Sequence, residues 1–197
     1  MKSKLLDYIE KTLTNAGIAY EKVSAETNQV DNTLVIQMGP DSQGRERMLV
    51  VFDQKMDLDN YSKKSSEPPI QPNSDLNMGA NGSIKKKAMD DLLHVSCILP
   101  FQVEPGSEGE TARLILYYNS ALDFPGFGFD ERNNVVYYRY PFMKPNGVIS
   151  EQTILGLLGT AMLSIDSMSD SIESVAKGLK SMPEALLENI QKLTSEE

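Results

Sequence analysis

An unbroken alternation of apolar side chains over Leu93–Val103 is the feature that most constrains this fold. Because successive side chains of a strand point to opposite faces of a sheet, the pattern predicts a strand with one buried face. The predicted buried set is Leu93, Val95, Cys97, Leu99, Phe101 and Val103; the other face carries His94, Ser96, Ile98, Pro100 and Gln102. Since proline cannot donate to a ladder, we expect an edge or a bulge at Pro100.

The chain before this strand predicts a helix that leads into an antiparallel meander. Apolar residues recur at helical spacing over Met1–Ala16, and Gly17 can end the helix. Three short strands are predicted next, at Ile18–Val23, Thr33–Met38 and Arg47–Asp53. The apolar side chains that share a face are Leu34, Ile36 and Met38 in the second strand, and Met48, Val50 and Phe52 in the third.

The chain after this strand predicts a helix and then a hairpin. The segment Ser107–Leu122 has strand-like composition at its centre, but its apolar residues also fit a helical stripe. Ser107 and Glu110 match a capping box, so we favour a helix. Two strands, Phe127–Asp130 and Val135–Met143, then flank a polar turn. Either Tyr137 or Tyr138 must contact something outside the helix layer, because they lie on opposite faces of one strand.

A long C-terminal helix is predicted to begin at the N-cap Ser150. Its apolar positions alternate steps of four and three from Ile154 to Met182, as in a coiled-coil seam. Beyond Asp166 the seam is narrow, so it packs either on a last helix, Pro183–Leu193, or on a second chain. The side chains predicted for a partner or dimer surface are Phe127, Phe129, Tyr137, Tyr138, Tyr140, Ile165, Met168 and Ile172.

Two segments lie outside the predicted core. Residues Gln54–Ser83 are polar and rich in Ser, Asn and Pro, so we expect an insertion that is partly mobile. The domain organisation predicted is an α+β domain over 1–175, which includes this insertion, and a helical extension over 176–197. The fold class predicted is an antiparallel sheet covered by helices.

Charge and composition limit the classes of partner and the compartment. The chain of 197 residues has a net charge of −9, which argues against nucleic acid or an anionic membrane as the main partner. It contains one cysteine and no apolar run of the roughly 20 residues needed to cross a bilayer, and its first residues do not follow the charged-then-apolar pattern expected of a leader. We therefore expect a cytoplasmic protein.

Residues with catalytic potential are few. The single histidine, His94, and the single cysteine, Cys97, are three positions apart on one strand, so they point to opposite faces. A Cys–His catalytic pair is excluded if the strand assignment is right, and one Cys and one His are too few for a zinc site. The sequence thus predicts no enzyme, no metal and no cofactor.

Several motifs in the second half of the chain resemble the YbjN family and its cyanobacterial relatives. They are L-P-F-Q-V-E at Leu99–Glu104, A-R-L-I-L-Y-Y-N-S-A-L at Ala112–Leu122, F-P-G-F-G-F-D at Phe124–Asp130 and V-Y-Y-R-Y at Val136–Tyr140. These families are similar in fold to class I type III secretion chaperones. The resemblance implies a small, acidic, non-enzymatic homodimer that binds a segment of another protein. A regulatory protein of the sensory type is the alternative that it also allows.

Overall fold

The computed structural model describes residues 4–23, 33–54, 92–122, 126–143 and 149–195. In these ranges the chain forms an α+β structure, and the predicted class is confirmed. The predicted insertion lies outside the described residues, except for Gln54 at its start. The elements are α1 (Lys4–Asn15), β1 (Tyr20–Val23), β2 (Thr33–Pro40), β3 (Glu46–Gln54), β4 (Leu92–Gln102), α2 (Glu108–Ala121), β5 (Phe127–Asp130), β6 (Val135–Met143), α3 (Glu151–Ala176) and α4 (Met182–Ser195).

The six strands form one sheet in the order β1-β2-β3-β4-β6-β5, and every neighbouring pair is antiparallel. β4 therefore has a partner on both sides. Its register against β6 shifts between Ile98 and Gln102, and its pairing with β3 ends at Ser96. Pro100 lies inside this irregular stretch, where no ladder hydrogen bond is required of it. Of the two alternatives predicted for Pro100, the structure has the bulge.

The helices cover one face of the sheet. All six side chains predicted to be buried along Leu93–Val103 are in the core, so the predicted alternation is confirmed. α1 contacts β2 and β3, α2 contacts β5, and α3 contacts β4 and β6. Because the buried residues of neighbouring strands pair across the ladders, these contacts belong to a single face of the sheet.

The side chains of β3 alternate as predicted, but the apolar set named from the sequence is not the set that the helices cover. Leu49 and Val51 are in the core, whereas Met48, Val50 and Phe52 share the opposite face. Register is the reason: Ile36 pairs with Leu49, and Leu34 pairs with Val51. Residues that pair across a ladder share a face of the sheet. Because Leu34 and Ile36 are buried, their partners Leu49 and Val51 lie on the buried face too.

The helix predicted over Ser107–Leu122 is confirmed as α2, but its capping box is wrong. Ser107 has φ −98° and ψ −2°, which is not extended, and its hydroxyl makes no cap hydrogen bond. The Glu110 carboxylate instead accepts a hydrogen bond from the backbone N–H of Met182, at 3.1 Å. The cap of α3 is confirmed, because Ser150 Oγ accepts from the backbone N–H of Thr153 at 3.0 Å.

The seam of α3 is buried within this chain. Ile165 and Ile172 are fully buried, and α3 contacts α1, α2 and α4 as well as the sheet. A hydrogen-bond chain joins three of the helices, from Asn189 Nδ2 to Tyr118 Oη and on to Ser171 Oγ. The helix ends at Ala176, so Leu179, which is 73% exposed, does not continue the predicted seam.

Candidate protein-interaction surface

Five of the eight side chains predicted for a partner surface are core residues in this chain. Each of the five is no more than 7% exposed: Phe127, Tyr138 and Tyr140 lie under the helix layer, and Ile165 and Ile172 lie on the packed side of α3. They are therefore packing residues of the single chain and do not form an exposed surface on it.

The other three predicted residues are only partly buried. Phe129 and Met168 pack against the edge of the core. Tyr137 points away from the helices, since its neighbours Val136 and Tyr138 are buried beneath them. Of the two alternatives for the hairpin, the structure thus places Tyr138 in the core and Tyr137 on the other face.

We use the name open face for the sheet surface opposite the helices. In the four strands β2, β3, β4 and β6 it is mostly apolar, and three of its side chains are prominent: Met48 is 50% exposed, Ile98 68% and Met143 61%. The centre of the open face in these strands comprises Thr33, Val35, Gln37, Met48, Val50, Phe52, His94, Ser96, Ile98, Tyr137, Arg139, Pro141 and Met143.

The open face has a simple charge distribution. None of the thirteen side chains at its centre is a carboxylate, and Arg139 is the one permanent charge among them. The carboxylates of Glu21, Glu46 and Asp130 lie on the same face, toward its margins. Burial lowers the pKa of His94, and the nearby Arg139 charge lowers it further, while Asp53 acts in the opposite direction. His94 is therefore neutral near pH 7. A chain with a net charge of −9 thus presents an apolar sheet surface without acidic groups at its centre.

Two close contacts order the open face. The rings of Phe52 and His94, a cross-strand pair of β3 and β4, stack with centroids 4.7 Å apart and an interplanar angle of 6°. At the β5 edge of the sheet, Tyr137 lies over Gly128, where an added Cβ would be only 2.4 Å from the tyrosine ring. The glycine leaves room for the tyrosine, so the aromatic surface extends to the sheet edge.

The residues with nucleophilic potential are separated by the sheet. Cys97 is fully buried on the helix side, as predicted, whereas His94 lies on the open face. Burial raises the pKa of the Cys97 thiol to about 11, which keeps it protonated and unreactive at neutral pH. Within the described ranges, no group of three or more His, Cys, Asp or Glu side chains is placed to hold a metal ion.

A polar cluster that the sequence did not predict lies on the helix side, where the β2–β3 turn meets α3. Arg45 binds Glu173 through two N–H···O contacts of 2.8 and 2.5 Å, and it also donates to Asp41. Arg47 is 6% exposed beneath α3 and pairs with Asp166 at 2.5 Å. A shallow cavity of about 390 Å³ lies beside Arg47; its lining is Pro40, Asp41, Ser42, Arg47, Asp166, Ser169 and Asp170.

Sequence reasoning missed both the cluster and most of the open face. The partners Arg45 and Glu173 are 128 positions apart, and no local pattern joins them. A charged residue at a core position of an alternating strand, as at Arg47, is the one signal that could have indicated a buried ion pair.

No helix in the described ranges is long and apolar enough to cross a membrane. A comparison with protein-family models and a comparison with curated proteins find no match. The YbjN-like assignment therefore stays a prediction.

Proposed function

We propose that this chain is a non-enzymatic, cytoplasmic protein-binding module, a chaperone or adaptor that holds part of another polypeptide. The observation that carries this proposal is the open face, whose central side chains are mostly apolar and include no carboxylate in a strongly acidic chain. Soluble proteins rarely leave such a surface to water unless it contacts a partner.

The composition of the open face supports a protein partner over other classes. Cores of protein interfaces are depleted of charge and enriched in aromatic residues, methionine and arginine. Met48 and Phe52 on β3, and Tyr137 and Arg139 on β6, supply these residue types on the two strands that flank β4. A negative chain with one arginine on this face has little electrostatic attraction for nucleic acid. The resemblance implies the order helix, three strands, strand, helix, hairpin and helix, and the order from α1 to α3 agrees with it, which supports a fold of the type III secretion chaperone kind.

A regulatory module that acts through protein assembly is the second candidate. The observation that favours it is the breadth of the open face, which extends over four strands instead of forming a narrow groove. A broad face suits the surface of a folded partner, whereas a chaperone that holds an extended segment more often uses a groove or a sheet edge.

Site-specific cross-linking tests the proposal. A photo-reactive residue is placed at Ile98, on the open face, or at Leu163, an equally exposed position of α3, each 68% exposed. We expect cross-links to protein from position 98 and few from position 163. A captured protein is then purified, and its binding must be lost in the Ile98→Glu variant. Equal cross-linking from both positions would contradict the proposal.

A further inference from the structure

We propose that Met48 and Met143 are an oxidation-sensitive pair, and that conversion of their thioethers to sulfoxides turns off protein contact at the open face. This inference rests on the proposed function, because it names a regulation of the same surface. The oxidant is a peroxide. Three observations support the inference: where the exposed methionines lie, which side chains adjoin them, and how the cysteine is protected.

The exposed methionines of the described ranges are confined to the open face. Met48 is 50% exposed and Met143 is 61% exposed. The other four methionines of these ranges are partly buried and pack against the core; they are Met38, Met162, Met168 and Met182. Because an oxidant in water reaches a thioether only where the side chain is accessible, we expect the two methionines of the open face to react before these four.

The two exposed methionines lie at opposite ends of the open face. Met143 pairs with Leu92, at the start of β4. Continuing the register of β3 against β4 places Met48 near the level of Ile98, about 20 Å further along the strand direction at about 3.3 Å per residue. Since β3 and β6 flank β4, the two methionines also lie on opposite sides of that strand. A partner that covers the centre of the face therefore approaches at least one of them.

The modification is an oxygen transfer. The methionine sulfur attacks one oxygen of hydrogen peroxide, an S–O bond forms, the O–O bond breaks, and the other oxygen leaves as water. The sulfur loses two electrons and the peroxide gains them. The product is a polar sulfoxide in place of a flexible apolar side chain. A methionine sulfoxide reductase reverses the step with two electrons from a dithiol, and the oxygen leaves as water.

The side chains beside the two methionines differ in polarity. The cross-strand partner of Met48 is Gln37, whose amide can donate a hydrogen bond to a sulfoxide oxygen. The partner of Met143 is Leu92, which has no polar side-chain atom. A polar group buried against an apolar partner without a hydrogen bond is unfavourable. We therefore expect oxidation of Met143 to weaken contact more than oxidation of Met48 does.

The cysteine of this chain is protected from the same oxidant. Cys97 is fully buried on the helix side of the sheet, and burial raises the pKa of its thiol to about 11. Cysteine reacts with peroxides as the thiolate, so this thiol stays reduced while the chain is folded. Peroxide can therefore modify thioethers of the native chain without modifying the core thiol.

The first measurement is the rate of oxidation at each methionine. The full chain is treated with hydrogen peroxide, either native or unfolded in urea, and peptide mass spectrometry follows the gain of one oxygen. In the native chain, we expect Met48 and Met143 to react at least about tenfold faster than the four methionines that pack against the core. In urea the difference should disappear. Equal rates in the native chain would overturn the inference.

The second measurement is contact at the open face, as the yield of cross-links from position 98. The chain is used untreated, oxidised, or oxidised and then repaired with methionine sulfoxide reductases and dithiothreitol; catalase removes peroxide before cytosolic extract is added. We expect oxidation to lower the yield about tenfold or more, and repair to restore it. Circular dichroism checks that the oxidised chain is folded.

Leucine variants show which methionines carry the effect, since leucine is close to methionine in volume and has no sulfur. Each variant is compared with itself before and after peroxide, so its own basal yield does not matter. The double variant Met48→Leu, Met143→Leu should give the same yield before and after treatment. The matched control Met162→Leu, Met182→Leu should lose yield as the wild type does.

The outcomes separate this inference from the proposed function. Selective oxidation with a reversible loss of cross-linking supports the inference. Selective oxidation with an unchanged yield overturns it, whereas the proposed function stands. A loss that persists in the Met48→Leu, Met143→Leu variant, or that accompanies unfolding, also overturns it. If position 98 captures no protein in any state of the chain, the proposed function fails and the inference fails with it, whichever methionines react.

Discussion

Glu173→Gln tests whether the ion pair between the β2–β3 turn and α3 stabilises the fold. Glu173 lies in the last turn of α3 and its side chain is only 4% exposed. A carboxylate there is unfavourable with respect to the helix dipole. Its oxygens accept from Arg45 at 2.8 and 2.5 Å, from Gln43 at 3.0 Å, and lie 2.5 Å from Lys177 Nζ. These contacts compensate for both the burial and the dipole.

The expected loss in the free energy of unfolding depends on how well Arg45 is solvated and paired once the Glu173 carboxylate is removed. Loss of one partner of a buried ion pair costs about 3–5 kcal/mol when the remaining charge stays buried. Arg45 is 27% exposed and keeps its contact with Asp41, so we reduce the expected loss to about 2 kcal/mol. For a chain of this length, that loss lowers Tm by about 4–8 °C.

The effect has a defined pH dependence. Burial raises the pKa of Glu173, but hydrogen bonds and charge from Arg45 and Lys177 outweigh burial and leave the pKa below its ordinary value of 4.5. A lowered folded-state pKa gives stability that is complete above the unfolded-state pKa and is lost as the pH falls through the folded-state value. The difference between wild type and Glu173→Gln should therefore be constant near neutral pH and shrink below about pH 4.5.

Urea denaturation of both proteins, from neutral to acidic pH, measures this difference. The control is Glu188→Gln, because Glu188 pairs with Lys180 in a more exposed pair, with both side chains 39% exposed. We expect the control to lose less than about 1 kcal/mol. A loss of under about 0.5 kcal/mol for Glu173→Gln at neutral pH, or a difference that grows on acidification, would refute the reasoning.

Three further predictions concern single positions. Cys97 should react slowly with a thiol probe until the chain unfolds, and Cys97→Ser should cost about 1–3 kcal/mol in urea denaturation because it buries a hydroxyl; fast native labelling would place Cys97 outside the core. Gly128→Ala should destabilise by about 1–3 kcal/mol because its Cβ meets the Tyr137 ring, and Tyr137→Ser in the same chain should relieve most of that loss; an additive double variant would disprove the contact. Ser150→Ala should cost about 1 kcal/mol through loss of the α3 cap, whereas Ser107→Ala, which removes no cap hydrogen bond, should cost little in the same measurement.

The sequence alone was enough to predict an element where its local pattern had a single physical explanation. The alternation of Leu93–Val103 predicts both the strand and its buried face, because six consecutive inward positions are apolar and the intervening ones are mixed. Ser150 predicts the start of α3, because a serine that precedes an apolar helical stripe has an evident cap role. Ser107 and Glu110 match a cap pattern just as well. The Glu110 carboxylate instead accepts a hydrogen bond from the backbone N–H of Met182, a residue 72 positions away.

The candidate site could not be predicted, because its residues become a surface only through pairing between distant strands. Phe127, Tyr138 and Tyr140 have the composition of a binding patch, yet the helices cover their face of the sheet. The apolar stripe of α3 could pack within the chain or between chains. Its burial by α2 and α4 depends on how the helices pack, and no heptad pattern encodes that.

In β3, the set of side chains that is buried determines which set remains on the open face. Both alternating sets of its residues are apolar enough to be buried, Leu49 and Val51 on one side and Met48, Val50 and Phe52 on the other. Since a shift of one residue exchanges the two faces, pairing with Leu34 and Ile36 of β2 settles which set the helices cover. The remaining set then joins Ile98 and Tyr137 across the ladders. An ordinary one-layer sheet would carry polar residues there. The second apolar set on β3 is therefore the residue-level reason to expect a protein against the open face.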